Sequence, residues 1–550
     1  MDISAVWNTQ FDLCIVGSGP SGLIVALEYS RLNPGKQVII VEYGIAVSEG
    51  PNALDDSITV SNKKNHHEPY ECTNKGLGGT SATWGGRCVM YDKIDFLDRP
   101  ILNGGCTWNT DIFNEIQSYL PQAAAYFECG NPIFNIHEIP DFTDKRIAAN
   151  FVEDHVTDSV LERWSMPTRF ASRYSRELDE RENLTTLLGY ECRDIIIDSE
   201  TEAITAISIR NIETSSVHLI KSRLFVLSAG TQETTRILLR NPQVFSSLAN
   251  VPTSLGKYYQ GHLSGKIASI KFTGDPEKTD YGFLKDSDGV YIRRRFQFTD
   301  RFLLENNLLN TAIWLDNPLY FDPKHRSGPM SFMYLAMITP ILGKKLAPPA
   351  IAQSITKGKI FGISKHLINI LIGLPKSLYV PAIIFFKRYL SHRKLPGVFL
   401  FSPENKYALH FHSEQLPDIS NRMELGEDRE SLTIHYSISE QDINSVIVLH
   451  KALDSWLRRT GAGELEYWYS ENELHKAISE MSKDGIHQSG TTRIANSPEE
   501  GVVDSRLKVW GTDNLYICSS SVFPTSSQAN PTFLLGAFAV RLANDLTYAS

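Results

Sequence analysis

Apolar and polar positions follow three different rhythms along this chain. At the start, "FDLCIV" (11–16) is a largely apolar run that breaks at glycines and leads into "SGLIVALEYSRL", whose apolar residues recur at helical spacing. A second apolar run, "QVIIVE" (37–42), follows, so the opening reads as strand, turn, helix, strand. The same strand–turn–helix rhythm returns at "LFVLSAGTQETTRILL" (224–239), and a last helix is expected in "PTFLLGAFAVRLANDL". Between these lie alternating segments of period two: "KIASIKFTG", "GVYIRRRFQFT" and "LNTAIWLD" within 266–315, then "YALHFHSEQ" (407–415) and "SLTIHYSIS" (431–439). They predict an antiparallel sheet. The third rhythm, at 323–403, is basic and apolar together.

With 550 residues, 42% hydrophobic and 21% charged, the chain is long enough for two or more well-buried cores. A net charge of −9 argues against a general nucleic-acid binder. The seven cysteines stand singly, without a Cys-x-x-Cys pair, which favours reduced thiols over a disulfide framework and gives no metal site. "MDISAVWNTQFDL" lacks the basic and apolar regions of a secretory signal, so a cytoplasmic location is the expectation.

Gly17, Gly19 and Gly22 fill the pattern G-x-G-x-x-G between the first strand and the first helix. The first glycine permits the tight turn, the second lets main chain approach a pyrophosphate, and the third lets helix and strand pack closely. Glu42, at the end of the second strand, is suited to accept hydrogen bonds from ribose hydroxyls. This unit alone does not separate FAD from NAD. A second cluster, "KGLGGTSATWGGRCVMYDKIDF" (75–96), is too rich in glycine for a helix or central strand and offers a flat bed of free N–H groups for an isoalloxazine ring.

These motifs together resemble the glucose–methanol–choline (GMC) flavoprotein oxidoreductases. "GLGGTSATWGGR" is similar to their flavin-contacting stretch, and "LFVLSAGTQETTRILL" with "LGKYYQGH" (255–262) to the middle block. "GIHQSGTTRI" (485–494) and "GVVDSRLKVWGTDNLYICSSSVFPTSSQANPTFLLGAFAVRLANDL" (501–546) are similar to the C-terminal flavin and catalytic block. The resemblance implies an α/β fold: a Rossmann-like FAD-binding domain sewn from 1–110, 185–265 and 485–550. The substrate domain would be built on an antiparallel sheet from 111–184 and 266–484. It also implies cofactor contacts at Gly17, Gly19, Ser21, Gly22, Glu42, Gly79, Thr80, Ser81, Trp84, Cys192, Ala229, Gly230, Ser519, Pro531 and Thr532.

In the family a base histidine is followed some forty residues later by a histidine or asparagine. His487 and Asn530 match that pair, with Asn530 opening an Asn-Pro-Thr run. The implied activity is FAD-dependent oxidation of a CH–OH group of a sugar, polyol or lipid-linked sugar alcohol, with hydride passing to flavin N5. His487 would take the hydroxyl proton and Asn530 would orient the oxygen. An imidazole suits this because its ordinary pKa of about 6.5 lies near working pH. The chain also departs from the family pattern. Thr83 stands where covalently flavinylated members have histidine, so FAD is expected to be non-covalent. Ile494-Ala495 replaces Met-Gly, Ser519 replaces a glycine or aspartate, and Thr235 replaces a proline or serine. His412 and Gln415, beside "EQLPDISNRMEL" (414–425), are candidates for binding a polyhydroxylated substrate.

The segment 323–403 holds twelve Lys and Arg and no Asp or Glu, on an otherwise acidic chain. Its apolar runs are broken by Lys365, Lys376 and Pro381, so no spanning helix is expected. Amphipathic pieces of this kind suit the anionic inner face of the cytoplasmic membrane. A membrane quinone would then serve as electron acceptor, which favours a dehydrogenase over an oxidase. Packing against acidic neighbours is the alternative. Two other functions stay open at this stage: a GMC-like non-redox lyase and a membrane-associated flavin-binding scaffold.

Overall fold

The computed structural model describes all residues except 1–2, 51–56, 141–144, 167, 199–202, 318, 340–359 and 549–550. Its largest sheet has seven strands and gathers segments from the two ends and the middle of the chain. Strand Gln10–Val16 lies between Val38–Glu42 and Val217–Leu227, parallel to both. Leu184–Leu188 extends the parallel set beyond Val38–Glu42, and Leu515–Ile517 adds a further parallel strand against the end of Val217–Leu227. Ile204–Asn211 and Tyr190–Ile197 complete the sheet in antiparallel sense.

Every residue of Val38–Glu42 is buried, as expected for a parallel strand covered on both faces. Helix Pro20–Leu32 packs against the C-terminal helix Pro531–Tyr548. On that last helix Phe533, Leu534, Ala537, Phe538 and Leu542 have no exposure at all. Each large side chain buried this way contributes about 1.5–3 kcal/mol, so the C-terminus is a structural part of the nucleotide-binding core.

Helices Thr110–Ile116, Leu120–Phe127 and Phe170–Glu180 belong to this same core, through Ile112, Leu120, Phe127, Phe170 and Tyr174. The sequence expectation had put 111–184 with the substrate domain. Their apolar faces instead cover the helix pair 20–32 and 531–548; a Cβ on Gly536 would fall 2.2 Å from the Phe127 ring.

The second sheet is antiparallel and has four strands, in the order Thr311–Asp316, Lys406–Glu414, His262–Phe272, Gly463–Tyr467. Helices Glu440–Thr460 and Glu471–Met481 complete its core, with Val446, Leu449, Leu453, Trp456 and Ile478 fully buried. Two runs expected in this sheet are elsewhere. Tyr291–Arg294 pairs with Leu161–Trp164, which pairs with Arg87–Cys88. Leu432–His435 joins Arg422–Leu425 and Ile58–Val60. Alternation identifies a strand but not the edge it joins, which long-range packing decides.

Candidate active site

The glycine turn after Val16 opens onto a cleft lined by three separated parts of the chain. It includes Gly17, Gly19, Ser21, Glu42, Gly79, Thr80, Cys192, Ala229, Gly230, Ser519, Pro531 and Thr532. Gly17 has φ +100°, and a Cβ there would stand 2.6 Å from the Ser228 carbonyl oxygen, so both conformation and space demand glycine. Gly22 lies off the cleft, packed on the turn itself: a Cβ would be 2.1 Å from the Gly17 carbonyl oxygen.

The cleft fits a dinucleotide on its own chemistry. Helices Pro20–Leu32 and Gly230–Arg240 both begin on it, and neither Gly19 nor Ala229 caps its helix with a side chain. A Cβ on Gly19 or Gly230 would meet nothing within 4 Å, so bare main chain faces the open space. Free N–H groups and positive helix ends suit a diphosphate. Glu42 lines the cleft too, but its carboxylate already accepts four hydrogen bonds. Oε2 takes the Ser18 N–H (2.9 Å) and hydroxyl (2.7 Å), and Oε1 takes the N–H groups of Gly44 (3.0 Å) and Gly76 (2.9 Å). It therefore fastens three loops together, and a ribose contact would come on top of that. Burial pushes the Cys192 thiol up to about 12 and keeps it neutral.

Ser81 and Trp84 are not among the lining residues. The Ser81 hydroxyl donates to the Gly78 carbonyl and accepts from the Phe170 N–H, and the Trp84 indole donates to the Thr168 carbonyl beside the Phe127 ring. Both hold the glycine-rich bed in place from behind.

Ile486, Pro531 and Thr532 line the cleft, so His487 and Asn530 stand beside it. Asn530 Nδ2 donates to His487 Nε2 at 2.8 Å. That contact makes Nε2 the lone-pair nitrogen and leaves the ring proton on Nδ1. Asn530 Oδ1 is buried and has no hydrogen-bond partner among the described residues. Behind the ring, Asp484 Oδ2 lies 3.8 Å from His487 Nδ1. Asp484 Oδ1 accepts the main-chain N–H groups of Gly485 (2.7 Å), Ile486 (2.8 Å) and His487 (3.2 Å), which fixes the turn that presents the imidazole.

Two more histidines close the cluster. His262 stacks on His412 with centroids 4.1 Å apart, and both meet the His487 ring edge-on, at 5.0 and 5.4 Å. Asp484 Oδ2 also accepts the His262 main-chain N–H at 2.6 Å and lies 3.3 Å from its ring Nδ1. Burial pushes the His487 imidazole down to about 4, with Asp484 opposing the shift. Burial, and then the neighbouring His262 ring, push His412 well below the ordinary imidazole value. Asp484 is drawn upward by burial, but the His262 hydrogen bond and the imidazoles around it hold its carboxyl well below the usual range. The site thus presents a neutral imidazole backed by a carboxylate, as a proton-accepting group requires.

The sequence-based candidates for substrate contact divide. His412 is at the site, its Nδ1 2.7 Å from the Gln528 carbonyl. Gln415 is not available: its Oε1 accepts the Gly261 N–H (2.8 Å) and its Nε2 donates to the Ser437 carbonyl (2.9 Å). It ties strand 406–414 to its neighbours. Asp484 and His262 were missed. The first was signalled by an acid three residues before His487, the second by nothing local.

Residues 417–539 match the family model described as GMC oxidoreductase. The 6'''-hydroxyparomomycin C oxidase of Streptomyces lividus is 20% identical and covers 96% of this chain and 90% of its own length. Dehydrogenase str4 of Strobilurus tenacellus is 40% identical and 2-methyl-1,2-propanediol dehydrogenase of Mycolicibacterium austroafricanum 39% identical. These two alignments span 58 and 57 residues, about a tenth of this chain and of each relative. Among solved structures, an FAD-dependent oxidoreductase from Chaetomium thermophilum superposes with TM-score 0.54 at 14% identity, covering 97% of this chain and 98% of its own. Pyridoxine 4-oxidase from Mesorbium loti gives TM-score 0.50 at 14% identity over 98% of this chain and 99% of its own. At such identities the likeness speaks for the fold.

Proposed function

We propose that this chain, whose residues 417–539 match the GMC oxidoreductase model, is an FAD-dependent enzyme of that family that oxidises a CH–OH group with His487 as proton acceptor. The observation that carries the reading is the 2.8 Å contact between Asn530 Nδ2 and His487 Nε2 beside the dinucleotide cleft. A substrate hydroxyl entering between them replaces that bond by two: it donates to Nε2 and accepts from the amide. Asp484, 3.8 Å from Nδ1, stabilises through its charge the imidazolium that develops as Nε2 takes the substrate proton. Bound FAD supplies the acceptor for the hydride that leaves the carbinol carbon. His262 and His412 wall the imidazole and limit its rotation.

Non-covalent FAD is part of the proposal. Thr83, before Trp84, offers a hydroxyl held by Asn74 Nδ2 at 2.8 Å. Acid precipitation should release all the yellow flavin into the supernatant. The test of the reaction is anaerobic addition of alcohols to the holoprotein: loss of the visible flavin band supports oxidation. A band bleached by dithionite but by no alcohol would favour a lyase or a scaffold.

A second observation favours a peripheral membrane location with a quinone acceptor. Among the described residues, fourteen of the 28 exposed large hydrophobic side chains lie within the one segment Ile360–Leu390. No single helix among the described residues is long and apolar enough to cross a membrane. Helices Ile363–Ile372 and Lys376–Leu390 form a pair bent by 95°. The segment rests on a small core of its own, Tyr320, Met330, Tyr334, Met337, Ile384 and Leu400, and turns its remaining apolar residues outward. Lys365, Lys376, Lys387 and Lys394 accompany that face; Lys344, Lys345, Lys357 and Lys359 lie outside the described residues. Such a surface complements anionic lipid, each lysine adding roughly 1 kcal/mol. Sedimentation with phosphatidylglycerol vesicles but not with phosphatidylcholine vesicles is expected; equal behaviour with both would remove the lipid reading.

A further inference from the structure

Next to the histidines lies a group of charges that proton transfer does not use. Strand Leu161–Trp164 runs between Arg87–Cys88 and Tyr291–Arg294, and its register sets Arg293 opposite Glu162 and Arg87 opposite Trp164. Glu162 has no exposure. Its Oε2 accepts from Arg293 Nε (2.8 Å) and Nη2 (2.5 Å), its Oε1 accepts from Arg87 Nη2, and Arg295 Nη1 stands 3.5 Å from Oε1. Three guanidiniums share one carboxylate. The three arginines hold Glu162 down to about 2 against the effect of its burial.

A second acid acting on this group is Asp92, near Arg295. Its Oδ2 is already engaged by the side-chain amides of Gln297 (2.8 Å), Asn310 (2.9 Å) and Gln528 (2.9 Å). Three guanidiniums against these two carboxylates leave one positive charge over. Burial drives the Arg87 guanidinium down to about 10, and the charges of Arg293 and Arg295 push the same way. Arg87 Nε and Arg295 Nε and Nη2 are buried without a hydrogen-bond partner among the described residues. Buried donors are normally satisfied, and a guanidinium with unused N–H groups is a receptor for carboxylate or phosphate oxygens.

The group is also placed to serve the base. Arg87 and Arg293 lie over the Trp314 ring, at 4.5 and 4.7 Å from its centroid. That ring is 6.2 Å from His412, which meets His487 edge-on. Arg87 and Arg293 keep side-chain exposures of 15% and 12%, whereas Arg295 is sealed, so the first two are the reachable pair; Arg87 brings the unpartnered N–H, and Arg293, with Nε and Nη2 on Glu162, brings its charge.

We propose that the alcohol this enzyme oxidises carries an anionic group, a phosphate or a carboxylate, received by Arg87 and Arg293 over Trp314 while the carbinol reaches His487 and Asn530. The proposal rests on the alcohol-oxidation reading for its second half only. The same headgroup chemistry occurs in soluble metabolites and at a lipid surface, and matched probes separate the two.

The experiment has two independent readouts. First, oxidised holoprotein is titrated with inorganic phosphate and with acetate while the flavin spectrum is followed. A saturable spectral change, lost in Arg293→Gln, is expected. Second, the flavin is bleached anaerobically with glycerol, glycerate, sn-glycerol 3-phosphate and vesicles of phosphatidylglycerol. The anionic probes should exceed glycerol in kcat/KM by about 100-fold, and Arg293→Gln or Arg87→Lys should narrow that preference toward unity. Bleaching by the soluble phosphate supports a soluble substrate, and bleaching by vesicles alone supports a lipid headgroup. If no alcohol bleaches the flavin, alcohol oxidation fails and the phosphate titration alone decides the anion site. Should Arg293→Gln fail to fold, the wild-type titration and Arg87→Lys carry the test. Equal kcat/KM for glycerol and its phosphate, with no spectral response to phosphate or acetate, overturns the proposal.

Discussion

The cofactor cleft is walled largely by main chain: glycines, two uncapped helix starts and a carboxylate spent on loop N–H groups. The group beside it is built of side chains, with His262, His412 and His487 brought together from distant strands and turns around one aspartate. A main-chain wall recognises a ligand that never changes, and at Gly17 and Gly22 it tolerates no added volume. A side-chain cluster instead sets basicity and can be retuned one residue at a time. Perturbing each in turn should break different things.

The largest effect is expected on the cleft. Gly22→Val puts side-chain atoms into a space where a Cβ alone would stand 2.1 Å from the Gly17 carbonyl oxygen. The turn must then open, and the protein should purify without its visible flavin band. A full flavin complement in that variant would mean the turn is not the phosphate cradle.

Asp484→Asn should spare the cleft and damage the base. It removes the negative charge beside His262 and His487, leaving the developing imidazolium unsupported. Flavin reduction should slow by about 100-fold, with FAD still bound. A rate within twofold of wild type would reduce Asp484 to a turn former.

A smaller effect concerns pH. Because burial lowers His487 to about 4, the lone pair is available throughout the neutral range. The reduction rate should rise as pH climbs through about 4 and then stay flat, with no inflection near the ordinary imidazole value of about 6.5. An inflection there in the wild-type enzyme would place the base in a wetter setting than the structure gives it.

The smallest effect is on stability. His450 is fully buried, and burial lowers it to about 4, with the Val446 carbonyl opposing. Between its unfolded value of about 6.5 and that folded value, the unfolded chain binds the extra proton. Stability is therefore full above about 6.5 and falls as pH drops toward 4, by about 3 kcal/mol for this residue. His450→Phe should flatten that part of the pH–stability curve without altering flavin content.

Much of the cleft was legible in the sequence because phosphate cradles are local. Gly17, Gly19 and Glu42 lie within one strand–turn–helix–strand unit, and the glycines of 76–86 follow closely. His487 and Asn530 were singled out only by the resemblance to the family, whose histidine–asparagine pair and Asn-Pro-Thr run they match. Gln415 was misread because a polar residue at a strand end gives no sign of which main-chain groups will claim it. His262, Arg87 and Arg293 carried no local signal, since their meeting depends on strand pairings that alternation does not specify. Strand Gly463–Tyr467 escaped notice because "GELEY" has only two apolar positions that could alternate.

The most direct measurement is the anaerobic rate of flavin reduction in wild type and His487→Gln, at matched flavin content, with sn-glycerol 3-phosphate and glycerol. Glutamine keeps the volume and a hydrogen-bonding group but cannot hold the proton. The account predicts a loss of 10²- to 10⁴-fold with an unchanged oxidised flavin spectrum. Reduction at the wild-type rate in His487→Gln would contradict it.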